Sequence, residues 1–319
     1  MRTRITCRLW AWALPLLFLL PHAQAQHFYI QKYTVNEGLV DSYVLNIFQD
    51  SQGFLWIGTA AGLSRFDGKE FVNYGYEAGL PDLRVDAIFE DANRRLWVGT
   101  RRGIAEIRGR RCVSYPLGDG LKPNFVFRIK ASPDHKPWAF TDKGLYCFDE
   151  GKWNKVRLYP GLDDHHCRDI VGTREGMFIN YGDLLVLRSR EGVYKVLGRC
   201  PQDIPYFNAF KKYQDSLYLS LPHGISSVRA DGGQPIFEKA LHNKDVGFFF
   251  RDRQGRFWIN TEGDGLLISS PGSLDIITDT LPIPYQLVSD IYEDREGNIW
   301  IACYNGLLKV RDVNYKEFK

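Results

Sequence analysis

The sequence lacks several features that would assign it to a common functional class. Beyond its first 20 residues it has no run of about 18 apolar residues, so we expect no membrane span in the mature chain. Charges are not clustered and the net charge is only +3, which argues against a nucleic-acid partner. A nucleophile-elbow motif, a phosphate-binding loop and a nucleotide fingerprint are also missing. These absences exclude the enzyme classes that such motifs identify.

The first 25 residues have the layout of a secretory signal peptide. Three arginines precede an apolar run from Leu9 to Leu20, and Ala23-Gln24-Ala25 supplies the small residues of a cleavage site. The apolar run is short for a membrane span. We therefore predict cleavage after Ala25 and a periplasmic or extracellular mature protein. An uncleaved signal anchor is the alternative.

Cysteine is scarce and forms no recognisable metal pattern. Five cysteines follow the predicted cleavage site: Cys112, Cys147, Cys167, Cys200 and Cys303. Export permits disulfides, but an odd number leaves at least one thiol free, and the spacings match no zinc site. We expect most of them to be buried as small apolar residues, with a Cys167–Cys200 bridge as the alternative. The run from Asp163 to Cys167 has no second ligand cluster nearby, so we predict no metal and no cofactor.

The rest of the sequence repeats one short pattern seven times. The pattern is a run such as FLWIGT, LWVGT or FWINT, centred on Trp or a substitute aromatic residue. The centres are Trp56, Trp97, Trp138, Phe178, Tyr218, Trp258 and Trp300, which lie 40 to 42 residues apart. A period in this range is typical of propeller blades or of helical arrays.

Each copy is predicted to form four short strands. The runs around the aromatic residue are rich in Trp, Ile and Val, and Gly and Asp interrupt the chain every few residues. The first strand leads into an Asp-x-x-Gly turn, as in Asp50 to Gly53 and Asp294 to Gly297. The Asp supplies a side-chain hydrogen bond and the Gly a positive φ, as a tight hairpin requires. This pattern excludes helices.

Seven such copies predict an all-β, seven-bladed β-propeller of four-stranded antiparallel blades over residues 26–319. One blade cannot bury both faces of its sheet, but a ring can, with Trp and Phe side chains filling the space between neighbours. An open ring would leave strand edges exposed. We therefore expect the stretch from Phe28 to Thr34 to complete the last blade as its fourth strand. The segment from Tyr315 to Phe318 is the alternative for that position.

The copies resemble the two-component regulator propeller repeat. The segments that carry the resemblance are Gly38-Leu39 to Asp67-Gly68 in the first copy and Gly79 to Asp82, Val85 to Ile88, Asp91, Leu96 to Thr100 and Gly103-Ile104 in the second. The resemblance covers the mature chain and is weakest in copies 4 and 5. It implies a non-catalytic periplasmic sensor region of the kind found in Bacteroidetes hybrid two-component and sensor histidine kinase systems. The partner would be a kinase or transmitter domain, in cis if the chain is the front part of a longer sensor and otherwise in trans.

A ligand is expected at one end of the propeller. In a four-stranded meander, the connection into the first strand and the turn between the second and third strands share one end, where propellers usually bind. Here these turns combine aromatic residues with Arg, Asp and Asn, which suit an oligosaccharide or a charged sugar. The candidate ligand-binding residues are Arg101, Arg102, Tyr181, His223, Glu262, Asp264, Tyr304 and Asn305. For each residue the alternative is ordinary solvated loop.

Three functions fit these observations. The first is a sensor module that binds an oligosaccharide or similar ligand. The second is a scaffold that binds another protein, which is a common use of propellers. The third is an exported enzyme acting on polysaccharide, with Glu262 or Asp264 as an acid. Because no second acidic partner is identifiable, we predict no catalytic residue.

Overall fold

Seven four-stranded antiparallel sheets form the blades of a propeller in the computed structural model of the protein. The structure describes residues 28–117, 124–158, 167–174, 176–182, 184–199, 210–213, 216–221, 224–229, 236–237, 246–261, 263–272, 276–281, 283 and 288–312. The predicted all-β, seven-bladed fold is confirmed. Among these residues, no helix is long and apolar enough to cross a membrane.

The chain begins with an outer strand and then builds blades 1 to 3. After β1 (Phe28–Tyr33), two short 3-10 helices at Val35–Glu37 and Tyr76–Ala78 precede blades 1 and 2. The strands are β2 (Val44–Gln49), β3 (Leu55–Thr59), β4 (Leu63–Phe66) and β5 (Phe71–Tyr74); β6 (Val85–Glu90), β7 (Leu96–Thr100), β8 (Gly103–Arg108) and β9 (Arg111–Tyr115); β10 (Val126–Ala131), β11 (Pro137–Thr141), β12 (Gly144–Asp149) and β13 (Lys152–Val156).

Blades 4 to 7 repeat the same order. Their strands are β14 (Asp169–Gly172), β15 (Gly176–Asn180), β16 (Leu184–Ser189) and β17 (Tyr194–Arg199); β18 (Phe210–Tyr213), β19 (Ser216–Leu221), β20 (Gly224–Arg229) and β21 (Ile236–Phe237); β22 (Val246–Arg251), β23 (Phe257–Thr261), β24 (Gly265–Ser269) and β25 (Ile276–Leu281); β26 (Val288–Glu293), β27 (Ile299–Cys303) and β28 (Gly306–Asp312). The first strands of neighbouring blades contact one another, as with β2, β6 and β26, so they line the propeller axis.

The N-terminal strand closes the ring. β1 pairs antiparallel with β28, with Phe28 opposite Asp312 and Tyr33 opposite Leu307, so the last blade has the order β26, β27, β28, β1. The Tyr33 ring stacks on Trp300 at a centroid distance of 5.7 Å. The predicted closure is confirmed; the segment from Tyr315 to Phe318 lies outside the described residues.

The repeated tryptophans form the core between blades. Trp97 and Trp258 are fully buried. Trp56 packs with Leu80 and Val85 of blade 2, and Trp300 packs with the core of blade 1. Burying one such side chain contributes roughly 1.5–3 kcal/mol or more. The prediction that tryptophan side chains fill the space between neighbouring blades is confirmed.

A buried aspartate holds the tryptophan in four of the blades. The Asp of the Asp-x-x-Gly turn accepts a hydrogen bond from the indole Nε1 six residues later. The pairs are Asp50–Trp56 at 2.7 Å, Asp91–Trp97 at 3.0 Å, Asp252–Trp258 at 2.9 Å and Asp294–Trp300 at 2.7 Å. The other oxygen of Asp50 accepts from the backbone N–H groups of Gln52 and Phe54, which is the turn bond predicted from the sequence. We call this arrangement the Asp–Trp clamp.

Candidate functional site

The connections into the first strand of each blade and the turns between the second and third strands lie at the same end of the propeller, as predicted. In blade 1, Ala60 N donates to Tyr43 O at 3.0 Å, which joins the turn between β3 and β4 to the connection into β2. In blade 3, Phe125 N donates to Asp142 Oδ1 at 2.8 Å. We call this end of the propeller the rim.

Each well-formed rim turn is held by a buried threonine. Thr59 Oγ1 donates to Gly62 O at 2.8 Å, and Thr100 Oγ1 donates to Gly103 O at 2.9 Å. The glycine has a positive φ, 148° at Gly62, and a Cβ there would lie 2.8 Å from a carbonyl oxygen. The threonine and the glycine therefore fix the backbone and leave the two residues between them to vary.

Five of the eight predicted ligand-binding residues are exposed on rim turns. Arg101 and Arg102 lie between Thr100 and Gly103, and both are exposed. Asp264, Tyr304 and Asn305 are also exposed, and 43% of Tyr304 is accessible. His223 and Glu262 lie outside the described residues.

Tyr181 does not present its ring at the rim. It is 3% exposed and belongs to the core cluster that contains Trp138, Phe140 and Cys167. Tyr181 N donates to Leu184 O in the tight turn after β15, and the apolar space between blades 3 and 4 takes the ring. The expectation that Tyr181 faces a ligand is corrected, because an aromatic ring gains more from burial there than from exposure.

Aromatic and arginine side chains contact one another along part of the rim. The Tyr304 and Tyr43 rings have centroids 4.2 Å apart, across the junction of blades 7 and 1. The guanidinium of Arg84, in blade 2, lies 5.9 Å from the centre of the Tyr43 ring. Asp86 holds Arg84 in place, since Arg84 Nε donates to both carboxylate oxygens at 3.0 and 3.1 Å. Burial raises the pKa of Asp86 although Arg84 opposes that rise.

A second group of aromatic and arginine side chains lies on the rim of blades 2 to 4. Arg101 lies 5.7 Å from the Phe125 ring centre, Phe125 lies 6.0 Å from Phe127, and Arg168 lies 5.8 Å from the Phe127 ring centre. A recess of about 380 Å³ lined by Arg101, Arg102, Phe125 and Asp142 opens beside these residues. We call the seven residues the rim arc: Tyr304, Tyr43, Arg84, Arg101, Phe125, Phe127 and Arg168.

Most of the rim arc was not among the sequence-predicted residues. Tyr43, Arg84 and Phe125 occupy one repeated position, directly before the valine that begins the inner strand. A variable residue beside a constant valine is the pattern that identifies this position. Phe127 is displaced by a bulge between Val126 and Arg128 in the pairing of β10 with β11. The same bulge follows the first-strand valine in blades 1, 2, 6 and 7, so the repeat itself marks this position. Bulges of this kind re-aim side chains near functional sites.

Charged side chains also gather on the inner strands, along the axis. Arg128 Nη1 and Lys130 Nζ donate to opposite oxygens of Asp169, at 3.1 and 2.6 Å. Lys211 and Asp290 act electrostatically on one another and on this group. We call Arg128, Lys130, Asp169, Lys211 and Asp290 the axial charge cluster.

The axial charge cluster was also missed from the sequence. Its members occupy inner-strand positions at which other blades carry apolar residues such as Phe89 and Phe248, as the strand pairing shows. Charged residues at repeat positions that carry Ala87 and Phe89 in blade 2 and Phe248 and Phe250 in blade 6 would have identified it. Weak repeat matching in blades 4 and 5 obscured the alignment.

A family model matches three parts of the chain. The description of that family is two component regulator propeller, and the matched residues are 38–61, 79–102 and 282–305. Histidine kinase P4 of Formosa agariphila is 44% identical to the chain over 52 residues, which are 16% of this chain and 4% of that protein. The three segments that the family model matches include the first and second strands of blades 1, 2 and 7.

Solved structures share the whole fold at low sequence identity. The extracellular domain of a hybrid two component system from B. thetaiotaomicron aligns with a TM-score of 0.72 and 20% identity, over 90% of this chain and 42% of that chain. Virginiamycin B lyase from Staphylococcus aureus aligns with a TM-score of 0.69 and 16% identity, over 90% of this chain and 100% of that chain. The chain thus spans less than half of the Bacteroides domain, and both likenesses concern the fold. The predicted resemblance is confirmed: the chain carries two component regulator propeller repeats on a seven-bladed propeller.

Proposed function

We propose that this chain is an extracytoplasmic, non-catalytic sensor propeller of a two-component system, and that its rim binds an oligosaccharide. The two component regulator repeats and the fold shared with a Bacteroides extracellular domain support the sensor role. A histidine kinase or other transmitter domain is the proposed partner, in cis or in trans. The predicted signal peptide, which lies outside the described residues, is consistent with export.

The rim arc is the observation that carries the ligand proposal. Aromatic rings offer flat apolar faces to the C–H face of a sugar ring, and arginines donate paired hydrogen bonds to carboxylates. Arg101 supplies an exposed guanidinium on the turn that Thr100 and Gly103 hold, and Tyr304 supplies an exposed ring on the turn between Cys303 and Gly306. The recess beside Arg101 falls within the roughly 300–1,000 Å³ of small-ligand sites.

Calorimetric titration of the purified protein with a panel of neutral and acidic oligosaccharides tests the proposal. We expect Tyr304→Ala and Arg101→Ala each to weaken binding of the best ligand about tenfold or more, the equivalent of roughly 1.4 kcal/mol. Tyr29→Ala and Arg111→Ala are matched controls, because Tyr29 is 58% exposed on β1 and Arg111 is exposed on β9. Absence of binding across the panel, or equal losses of affinity in the rim and control variants, would refute the proposal that the rim binds an oligosaccharide.

The same panel separates the sensor from an enzyme. Reducing-end assays should show no turnover by the wild-type protein. Turnover that disappears in Asp264→Asn, with Asp264 on the rim, would replace the sensor with a polysaccharide-acting enzyme. Capture of a protein partner that is lost in Tyr304→Ala, without any glycan bound, would favour the scaffold.

A further inference from the structure

The axial charge cluster contains more cations than anions. Its cations are Arg128, Lys130 and Lys211, and its carboxylates are Asp169 and Asp290. All five come from inner strands of blades 3, 4, 5 and 7, so they face one another across the axis. The side chains of Arg128 and Lys130 are 35% and 31% exposed whereas that of Asp169 is buried, so an anion that reached the two cations would supply the missing counter-charge.

Other donors already occupy both carboxylates. Asp169 accepts from Arg128, from Lys130 and from the backbone N–H of Ile170 at 2.8 Å. Asp290 accepts from the backbone N–H groups of Ile47 at 3.0 Å and Ile291 at 2.9 Å, and from Asn46 Nδ2 at 3.2 Å. These bonds direct the carboxylate oxygens towards the strands that carry them and their neighbours, leaving Lys211 without a direct acceptor.

Lys211 is the cation of the cluster from which neither carboxylate accepts a hydrogen bond. Within the described part of the chain, its ammonium makes no hydrogen bond and no ion pair within 4 Å, although both carboxylates act on it electrostatically. Burial, with the like charges of Arg128 and Lys130, lowers the pKa of Lys211. Arg128 also keeps a buried Nε–H that no described atom accepts. Unused donors therefore remain on two cations of the axial charge cluster.

We infer that the axial charge cluster is an anion-binding site, in which Lys211, Arg128 and Lys130 hold a single carboxylate or sulfate group. Both groups offer oxygens that accept from an ammonium and a guanidinium together, and charge-assisted bonds of this kind are the strong ones. The inference does not depend on the rim binding an oligosaccharide. The anion can be free, or it can be the acidic group of a rim-bound sugar, because Phe127 and Arg168 of the rim arc directly precede Arg128 and Asp169 in the chain.

The test is titration of the purified protein with sodium sulfate and with glucuronate at constant ionic strength, with glucose as the neutral probe. Wild type should bind sulfate and glucuronate but not glucose. Lys211→Met should weaken both about tenfold or more, since one charge-assisted contact is lost. Lys212→Met is the matched control, because Lys212 is the next residue of the same strand and is exposed. No anion binding by wild type, or equal loss in the two variants, would overturn the site.

Two further variants keep the test decisive if Lys211→Met folds poorly. Lys211→Arg retains the charge and should retain anion binding; its complete loss with the fold intact by circular dichroism would count against the site. Asp290→Asn removes a nearby negative charge and should tighten sulfate binding several-fold, because like-charge repulsion of the anion falls. Unchanged or weaker binding in a folded Asp290→Asn protein would also overturn the proposal.

A rim variant identifies the source of the anion. If Arg101→Ala weakens binding of an acidic disaccharide but leaves sulfate binding unchanged, the acidic group arrives on a ligand held by the rim. If Arg101→Ala changes neither, the site serves a free anion and the oligosaccharide proposal fails while the anion site stands. Failure at the rim and failure at the axis are therefore distinguishable.

Discussion

Blades 1, 2, 6 and 7 hold their core tryptophan with the Asp–Trp clamp, whereas blade 3 carries Ser132 in the place of the aspartate. Ser132 Oγ still closes the turn, since Lys136 N donates to it at 3.0 Å. It does not reach the tryptophan, and no described oxygen accepts from the buried Nε1 of Trp138, whose neighbour across the sheet is the Cys147 thiol. In the other four blades one carboxylate oxygen accepts from the turn and the second accepts from the indole. The single hydroxyl of Ser132 bonds only within the turn.

The junctions between blades differ in the same way. The residue after the turn aspartate donates its backbone N–H to the last inner-strand side chain of the next blade. The bonds are Ser51 to Glu90 at 2.7 Å, Arg253 to Glu293 at 2.8 Å and Arg295 to Gln49 at 2.9 Å. Blade 3 has Ala131 at the acceptor position, and its junction with blade 2 relies on rings instead, with Trp97 and Phe148 4.5 Å apart. The same propeller thus contains two kinds of junction between blades, one made by hydrogen bonds and the other by aromatic packing.

Removing the aspartate of blade 6 should have the largest effect. Asp252→Ala would leave Arg256 buried without its carboxylate, which lies 2.7 Å away with both side chains at most 3% exposed. Breaking such a pair typically costs about 3–5 kcal/mol. The side-chain carboxylate of Asp50 accepts from no described arginine, so Asp50→Ala in blade 1 should cost about 1–3 kcal/mol, and Ser132→Ala about 1 kcal/mol. Urea unfolding followed by tryptophan fluorescence measures all three; equal losses would contradict the comparison.

A side chain added at Gly58 should have the next largest effect. A Cβ there would lie 2.7 Å from Val85 O, so blades 1 and 2 could not stay as close. We expect Gly58→Ala to lower the free energy of unfolding by about 1–3 kcal/mol through overpacking. Blade 3 has Phe140 two residues after its tryptophan, and this ring is buried in a cluster with Ile170 and Ile179 of blade 4. Gly198→Ala, where a Cβ would meet no atom within 4 Å, is the control and should be close to neutral. A neutral Gly58→Ala would show that the junction is not tightly packed.

The fold was predictable because its causes are periodic. The seven aromatic centres, the Asp-x-x-Gly turns and the Gly after the second strand each recur, so one interpretation explains many positions. The closing strand was predictable because Phe28 to Thr34 matches a fourth strand that has no blade of its own. The direction in which a turn side chain points, by contrast, does not follow from the repeat. Tyr181 was predicted to lie at the rim, and its ring lies in the core.

The site was less predictable because it depends on contacts between blades. Arg84 and Tyr43 lie in different copies of the repeat, and no spacing in the sequence predicts that the guanidinium of Arg84 will lie near the Tyr43 ring. The axial charge cluster likewise joins Lys130, Asp169 and Lys211 across three blades. Exposed positions on turns could be identified from the sequence, but partners at the axis could be identified only once the ring closed.

Restoring the missing clamp in blade 3 should have a smaller and opposite effect. Ser132→Asp supplies the absent acceptor for Trp138, and Asp134→Asn removes the carboxylate that now accepts from Ser132 and would repel the new one. The double variant should gain about 1 kcal/mol, the net value of one hydrogen bond. In a Trp138→Phe background the same pair of changes should give no gain, because the donor is absent. An equal gain in both backgrounds would mean that the clamp is not its cause.

The smallest effect concerns the last residue of the same turns. In blades 1, 6 and 7 this residue is glycine, as at Gly53 with φ 96°, whereas blades 2 and 3 place Arg94 at φ 60° and His135 at φ 62°. A left-handed conformation is unfavourable for a side chain, but glycine loses more freedom on folding, so the two terms partly cancel. Arg94→Gly should therefore raise the free energy of unfolding by only about 0.5 kcal/mol, and Gly53→Ala should lower it by about 1 kcal/mol. A Cβ at Gly53 would meet nothing within 4 Å, so that loss reports the backbone alone. Urea unfolding measures both variants. A gain in the free energy of unfolding for Arg94→Gly and a loss for Gly53→Ala would show that blades 2 and 3 depart from the repeat at a measurable backbone cost. A loss for Arg94→Gly would show that the contacts of the Arg94 side chain outweigh its backbone strain.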